Sequence, residues 1–73
     1  MKNWDMNKPI LVAGGGISGT NAVRLILQTG YTPILYDGNV KLDTEKVFSK
    51  VGSRDFEIVL GELPESVIRK VQI

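Results

Sequence analysis

Six residues near the start of the chain, Gly14-Gly15-Gly16-Ile17-Ser18-Gly19, have the types and spacing to hold a phosphate. Gly14-x-Gly16-x-x-Gly19 is the glycine pattern of a strand-to-helix turn in dinucleotide-binding folds. In that pattern Gly14 permits the tight turn. Gly16 keeps a Cβ out of the path of a diphosphate, and Gly19 lets the helix pack closely on the sheet. The N–H groups that open a helix have no partner within it and carry a partial positive charge, so an anion binds there without a lysine. Ser18 adds a hydroxyl donor. Asp37 lies 37 − 19 = 18 residues beyond the last motif glycine. Dinucleotide folds place an acid at about that spacing, beside a ribose or base.

These residues need a strand before the turn and a helix after it. Ile10 to Ala13 is an uninterrupted apolar run behind Pro9, and it reads as a parallel strand covered on both faces. A helix is predicted from about Ser18 to Thr29. Asn21, Arg24 and Gln28 fall on its polar face, Ala22, Val23, Ile26 and Leu27 pack inward, and Gly30 ends it. Thr32 to Tyr36 forms the second strand, closed by Asp37-Gly38-Asn39. Leu42 to Val51 forms a shorter helix with Asp43 as N-cap and Thr44, Val47, Phe48 and Val51 inward, and Gly52 caps its end. Phe56 to Leu60 is a third strand. After Pro64, Leu63, Val67 and Val71 recur every four residues as one helical face, which Gln72-Ile73 leaves.

The order β-α-β-α-β-α predicts an α/β, Rossmann-like three-layer unit. Its parallel sheet has strand order 3-2-1, with helices on both faces. Residues 1–73 form a single nucleotide-binding domain, expected to be a fragment of a larger three-domain enzyme that ends before its fourth strand. A fourth strand would lie beside the first, and Gln72-Ile73 reads as the entrance to it. Without it the edge of Ile10 to Ala13 and some helix faces are open, so self-association is expected.

Composition removes several function classes. With no cysteine and no histidine, thiol chemistry and the commonest general base and metal ligand are absent. No catalytic pair and no metal site is predicted. Nine basic and eight acidic residues nearly cancel, so neither a nucleic-acid nor a membrane surface is expected. The lead-in Met1 to Lys8 is polar and lacks a hydrophobic signal segment, which points to the cytoplasm. Trp4 is an isolated aromatic in that arm and reads as a surface anchor with no partner specified. Glu62 and Glu65 read as helix-start charges, and Arg69-Lys70 as a solvated helix end.

Several uses of the glycine turn stay open on these residues alone. They are the NAD- or FAD-binding half of an oxidoreductase, a nucleotide-sensing regulatory module, a substrate-binding domain, and a strand-helix turn with no ligand. A family resemblance favours the third. Pro9 to Gly19, the helix to Gly30, and Tyr31-Thr32-Pro33-Ile34-Leu35-Tyr36-Asp37 resemble the N-terminal domain of the Mur ligases. Within them the likeness is greatest to the branch that adds D-glutamate to UDP-MurNAc-L-alanine. The resemblance implies that the turn holds uridine diphosphate, with Gly14, Gly16, Ile17, Ser18 and Gly19 around the diphosphate. It implies that Asp37 accepts a hydrogen bond from the uracil edge, with Gly38 and Asn39 lining that pocket. ATP and magnesium would belong to other domains of an ATP-dependent amide-forming ligase in peptidoglycan precursor synthesis. This fragment alone would be inactive. The sequence departs from the better-known pattern after the acid, where a hydroxyl and then a basic residue are usual. Asn39 carries no charge, and on the sequence alone it stays open whether Lys41 takes that part.

Overall fold

A computed structural model describes residues 5–72 of the chain. Trp4, Ile73 and the first part of the lead-in lie outside the described residues. The elements alternate as expected: β1 (Ile10–Ala13), α1 (Ile17–Gln28), β2 (Pro33–Asp37), α2 (Thr44–Val51), β3 (Glu57–Leu60) and α3 (Glu65–Lys70). The three strands form one parallel sheet in the order β1-β2-β3, which is 3-2-1 from the other edge.

Register explains the layers. Val12, Leu35 and Ile58 are neighbours across the three strands. Leu35 is buried together with Val23 of α1 and with Val47 and Val51 of α2, and Val12, Ile58, Leu27, Leu42 and Phe56 pack around them. Helices α1 and α2 therefore share one face of the sheet. Side chains alternate along a strand, so Glu57 points away from that cluster. Its carboxylate lies 3.8 Å from Lys70 Nζ, which puts the end of α3 on the opposite face. Val67, on the same helix, is buried.

Continuous burial belongs to β2, where Pro33, Ile34 and Leu35 are all enclosed. In β1 only Ile10 is fully buried, and Ala13 is exposed. The apolar run of β1 is thus covered at its base and bare at its tip, beside the glycine turn.

Helix ends follow local chemistry. Asp43 Oδ1 accepts from Lys46 N at 3.2 Å, the N-cap bond. Helix α1 ends in paired bonds, Gly30 N–H to Leu27 O and Tyr31 N–H to Ile26 O, the pattern of a Schellman close. Arg24 is more than a solvated polar residue. Its guanidinium donates to the carbonyls of Lys50 and Val51, binding α1 to the last turn of α2. The third helix is shorter than its four-residue periodicity suggested. Val71 is extended (φ −97°, ψ 161°), not helical. The reason is the next residue: Gln72 pairs in parallel with Ile10, on the side of β1 away from β2. Gln72 N–H donates to Pro9 O at 2.9 Å, and Leu11 N–H donates to Gln72 O at 3.0 Å. The Gln72 amide also donates to Asp5 O and Lys8 O and accepts from Asp5 N–H, tying down the lead-in turn.

The ion pairs Arg54–Glu45, Arg69–Glu65 and Lys70–Glu57 are all exposed, and such pairs contribute about 0–1 kcal/mol each. Truncating a core leucine costs about 2–5 kcal/mol, so the apolar cluster decides stability. No helix among the described residues is long and apolar enough to cross a membrane.

The tightest constraint on this packing is testable. A Cβ at Gly19 would lie 1.7 Å from the Gly14 carbonyl oxygen. Because the obstacle is backbone, Gly19→Ala should cost at least the upper end of the roughly 1–3 kcal/mol usual for overpacking. Thermal or urea unfolding of the variant measures it, and a cost below about 1 kcal/mol would show that α1 does not sit this close to β1.

Candidate functional site

Each glycine of the turn meets a different demand. Gly14 receives the chain at the tip of β1. Its N–H donates to Tyr36 O at 2.6 Å. Its φ of +95° turns the backbone away from the sheet, a conformation costly for any residue with a Cβ. Gly19 allows the first turn of α1 to lie against the Gly14 carbonyl. A Cβ at Gly15 would come within 2.7 Å of Leu42 Cδ2 and 3.4 Å of Asp37 Oδ2. Gly16 is unlike the other three. Its φ of −77° is open to other residues, and a Cβ there would meet nothing within 4 Å. Nothing in the packing asks for glycine at this position, which faces open space at the mouth of the helix.

That helix start is electrostatically bare. Gly16 is the N-cap, no side chain caps the first turn, and no acidic residue lies in it. Ile17, 75% exposed, and Ser18 stand in solvent. Thr20, by contrast, is buried, and its hydroxyl donates to Ile17 O at 3.0 Å. The first turn of α1 is thus exposed at Ile17 and Ser18 and buried at Gly19 and Thr20, and the amides that open a helix suit an anion.

Asp37 ends β2 next to this turn. Its Oδ2 accepts from Gly15 N–H at 2.8 Å, and its Oδ1 accepts from Asn39 N–H at 2.8 Å. Its carbonyl accepts from Gly61 N–H at 2.8 Å, beyond β3. Asp37 therefore joins the glycine turn, the loop after β2 and the end of β3. Each carboxylate oxygen retains a lone pair for a further donor. Asn39 is turned inward on its own loop: its side-chain oxygen accepts from Lys41 N–H at 3.0 Å, and its carbonyl from Leu42 N–H at 3.1 Å. Gly38 sits near the Tyr36 hydroxyl, which donates to Gly61 O.

The structure thus brings together Gly14, Gly16, Ile17, Ser18, Gly19, Asp37, Gly38 and Asn39 at the carboxyl ends of β1 and β2. Glu65 pairs with Arg69 within α3, and Lys70 with Glu57 at the start of β3, so both acids are engaged elsewhere. Leu42 and Tyr36 are site residues that motif spacing did not single out. Leu42 carried a usable signal: an apolar residue just before an N-cap packs back on its helix, as Leu42 does toward Val47.

The hydrogen bonds to Asp37 have a sign. The Asn39 N–H, and then the Gly15 N–H, hold its carboxyl below the ordinary aspartate range, against a smaller opposing effect of partial burial. A group whose pKa is depressed by folding stabilises the fold fully above its unfolded value, and that stabilisation is lost as pH falls through the folded value. The Gly15 and Asn39 amide resonances should therefore titrate together, with a midpoint below that of an ordinary aspartate. Separate midpoints, or one at the ordinary value, would show that Asp37 does not hold both.

The curated relatives that the chain matches share one name. The UDP-N-acetylmuramoylalanine--D-glutamate ligase of Lachnospira eligens is 45% identical over 67 residues, 92% of this chain and 15% of that protein. The ligase of the same name from Lachnoclostridium phytofermentans is 33% identical over 70 residues, 93% of the chain and 15% of the relative. That from Alkaliphilus metalliredigens is 31% identical over 61 residues, 84% of the chain and 13% of the relative. The chain spans only 13–15% of the length of the curated relatives it matches. No family profile and no solved structure matches it. Over the stretch they share, the chain belongs to the family of the UDP-N-acetylmuramoylalanine--D-glutamate ligases.

Proposed function

We propose that this chain is the N-terminal substrate domain of such a ligase and holds the uridine diphosphate of UDP-MurNAc-L-alanine. The observation that carries the reading is the unfilled position at Gly16. Packing or backbone conformation constrains Gly14, Gly15 and Gly19, whereas Gly16 lies at the N-cap with open space where a Cβ would stand, room for a ligand to approach. A diphosphate over the amides of Ile17 and Ser18 has the right charge and size for that opening. The uracil lies by Asp37, whose remaining lone pairs accept its N–H, with Gly38 and Asn39 beside it. Because the Asn39 side chain is committed to Lys41 N–H, this loop contributes backbone and shape to the base pocket.

In the whole ligase the substrate carboxylate takes the terminal phosphoryl group of ATP and becomes an acyl phosphate. The amine of D-glutamate then attacks that carbonyl, phosphate leaves, and an amide forms. ATP and magnesium belong to the rest of such an enzyme, which acts in the cytoplasm on a peptidoglycan precursor. The part of this chain is to bind and orient the nucleotide end, and this part alone is inactive.

The open edge also has a consequence for the isolated chain. Among the described residues β1 is covered on that edge only at Ile10, by Gln72, and Leu25 of α1 and Ile68 of α3 are each more than half exposed. The same proposal includes self-association through that edge or those helix faces. Sedimentation at micromolar concentration should show oligomers, whereas a monomer with a concentration-independent melting temperature would remove this part.

The central test is Gly16→Val. Stability should fall by only about 1 kcal/mol, because valine is a poorer N-cap than glycine. Binding of UDP, read by calorimetry on the chain, and of UDP-MurNAc-L-alanine, read as KM in the full-length ligase, should be abolished. NAD should bind neither form. An unchanged KM in the variant, or NAD binding tighter than UDP in the parent chain, would overturn the assignment.

A further inference from the structure

The glycine turn is gripped from one side only, and the grip comes from the β2–α2 connection. Asp37 Oδ2 accepts the Gly15 N–H at 2.8 Å. Leu42 Cδ2 occupies the space that a Cβ on Gly15 would need. Gly15 is therefore held by a hydrogen bond and capped by an apolar contact, while the next residue, Gly16, faces open space. The amide of Gly15 is already committed, so the amides left for an anion are those that follow it.

We propose that Asp37 and Leu42 are positioning residues for the diphosphate. They fix Gly15, and through it they set the direction of the amides of Gly16, Ile17 and Ser18 before any ligand arrives. The same Asp37 carboxylate holds Asn39 N–H at the base side of the site. A single side chain thus joins the base side to the phosphate side, so that ordering one orders the other. Leu42 is suited to its part because it is anchored behind: it packs against the cluster of Val23, Leu35, Val47 and Val51. The glycine turn is in this way referenced to the core of the domain. The inference rests on the diphosphate reading above.

A probe without a base separates this role from base recognition. The backbone amide shifts of Gly16, Ile17 and Ser18 are followed in the chain as UDP or inorganic diphosphate is added. With the parent sequence both probes should move these resonances. Asp37→Ala should weaken inorganic diphosphate roughly tenfold, although that probe has no base for Asp37 to touch. Asp37→Asn keeps one oxygen for Gly15 N–H but turns its NH2 toward the Asn39 N–H, so it should recover only part of the loss. Leu42→Ala should weaken diphosphate by about threefold. The double variant Gly15→Ala with Leu42→Ala should restore it, because the new methyl group fills the space Leu42 Cδ2 left. This restoration separates the contact from any general loss of core packing, which a second truncating change would not repair. No response to UDP in the parent chain overturns both this inference and the diphosphate reading. A response to UDP but not to inorganic diphosphate overturns only the inference, since the turn would then not be set in advance. Equal diphosphate affinity in Asp37→Ala and the parent, or no recovery in the double variant, also overturns it.

Discussion

The contact on which this structure depends is the approach of two pieces of backbone, the Gly14 carbonyl at the tip of β1 and Gly19 in the first turn of α1. No side chain, not even a methyl group, fits between them. That proximity fixes where α1 begins and how it lies over the sheet. It thereby fixes which amides open at the carboxyl end of the strands. Val23 can then reach Leu35, and Arg24 can reach the last carbonyls of α2. The core and the site are two results of one close approach.

Local signals were legible in the sequence where the responsible residues are neighbours in the chain. The glycine turn, the Gly30 close of α1 and the Asp43 cap all depend on a few consecutive residues. Strand order followed from the alternation of elements. What could not be read were features that depend on where distant segments meet. Leu42 against Gly15 and the three-way junction at Asp37 require the sheet to exist first. At the end of α3 only Val71 departs from its helical period, and for the same reason; Gln72 leaves the helix as its sequence suggests. Leu63, Val67 and Val71 keep a helical period, but the pairing of Gln72 with Ile10 draws Val71 into an extended backbone. Tertiary pairing there outweighs a short helical pattern, since one more turn of a six-residue helix adds little stability.

Charge is distributed so that the site stays uncluttered. The exposed pairs sit on α2, on the loop that follows it, on α3 and at the start of β3. Arg54 binds Glu45 through both guanidinium nitrogens and covers the Phe48 ring, holding the Glu45 carboxyl below its ordinary range and raising its own pKa. The carboxylate nearest the glycine turn, Asp37, is occupied by two backbone amides and remains charged to low pH. An arriving anion meets it with its charge already partly balanced by N–H dipoles.

The Gln72 clamp has a kinetic consequence. Its amide binds Asp5, 67 residues away, and Lys8, 64 residues away. Closing so long a loop costs more entropy than pairing β1 with β2 or β2 with β3, although the cost rises only logarithmically with length. Contacts of high sequence separation are slow to form. The two β-α-β steps should accordingly assemble first, with the lead-in turn and Gln72 joining a nearly finished sheet. Changes at that clamp should then speed unfolding while leaving the rate of folding almost untouched.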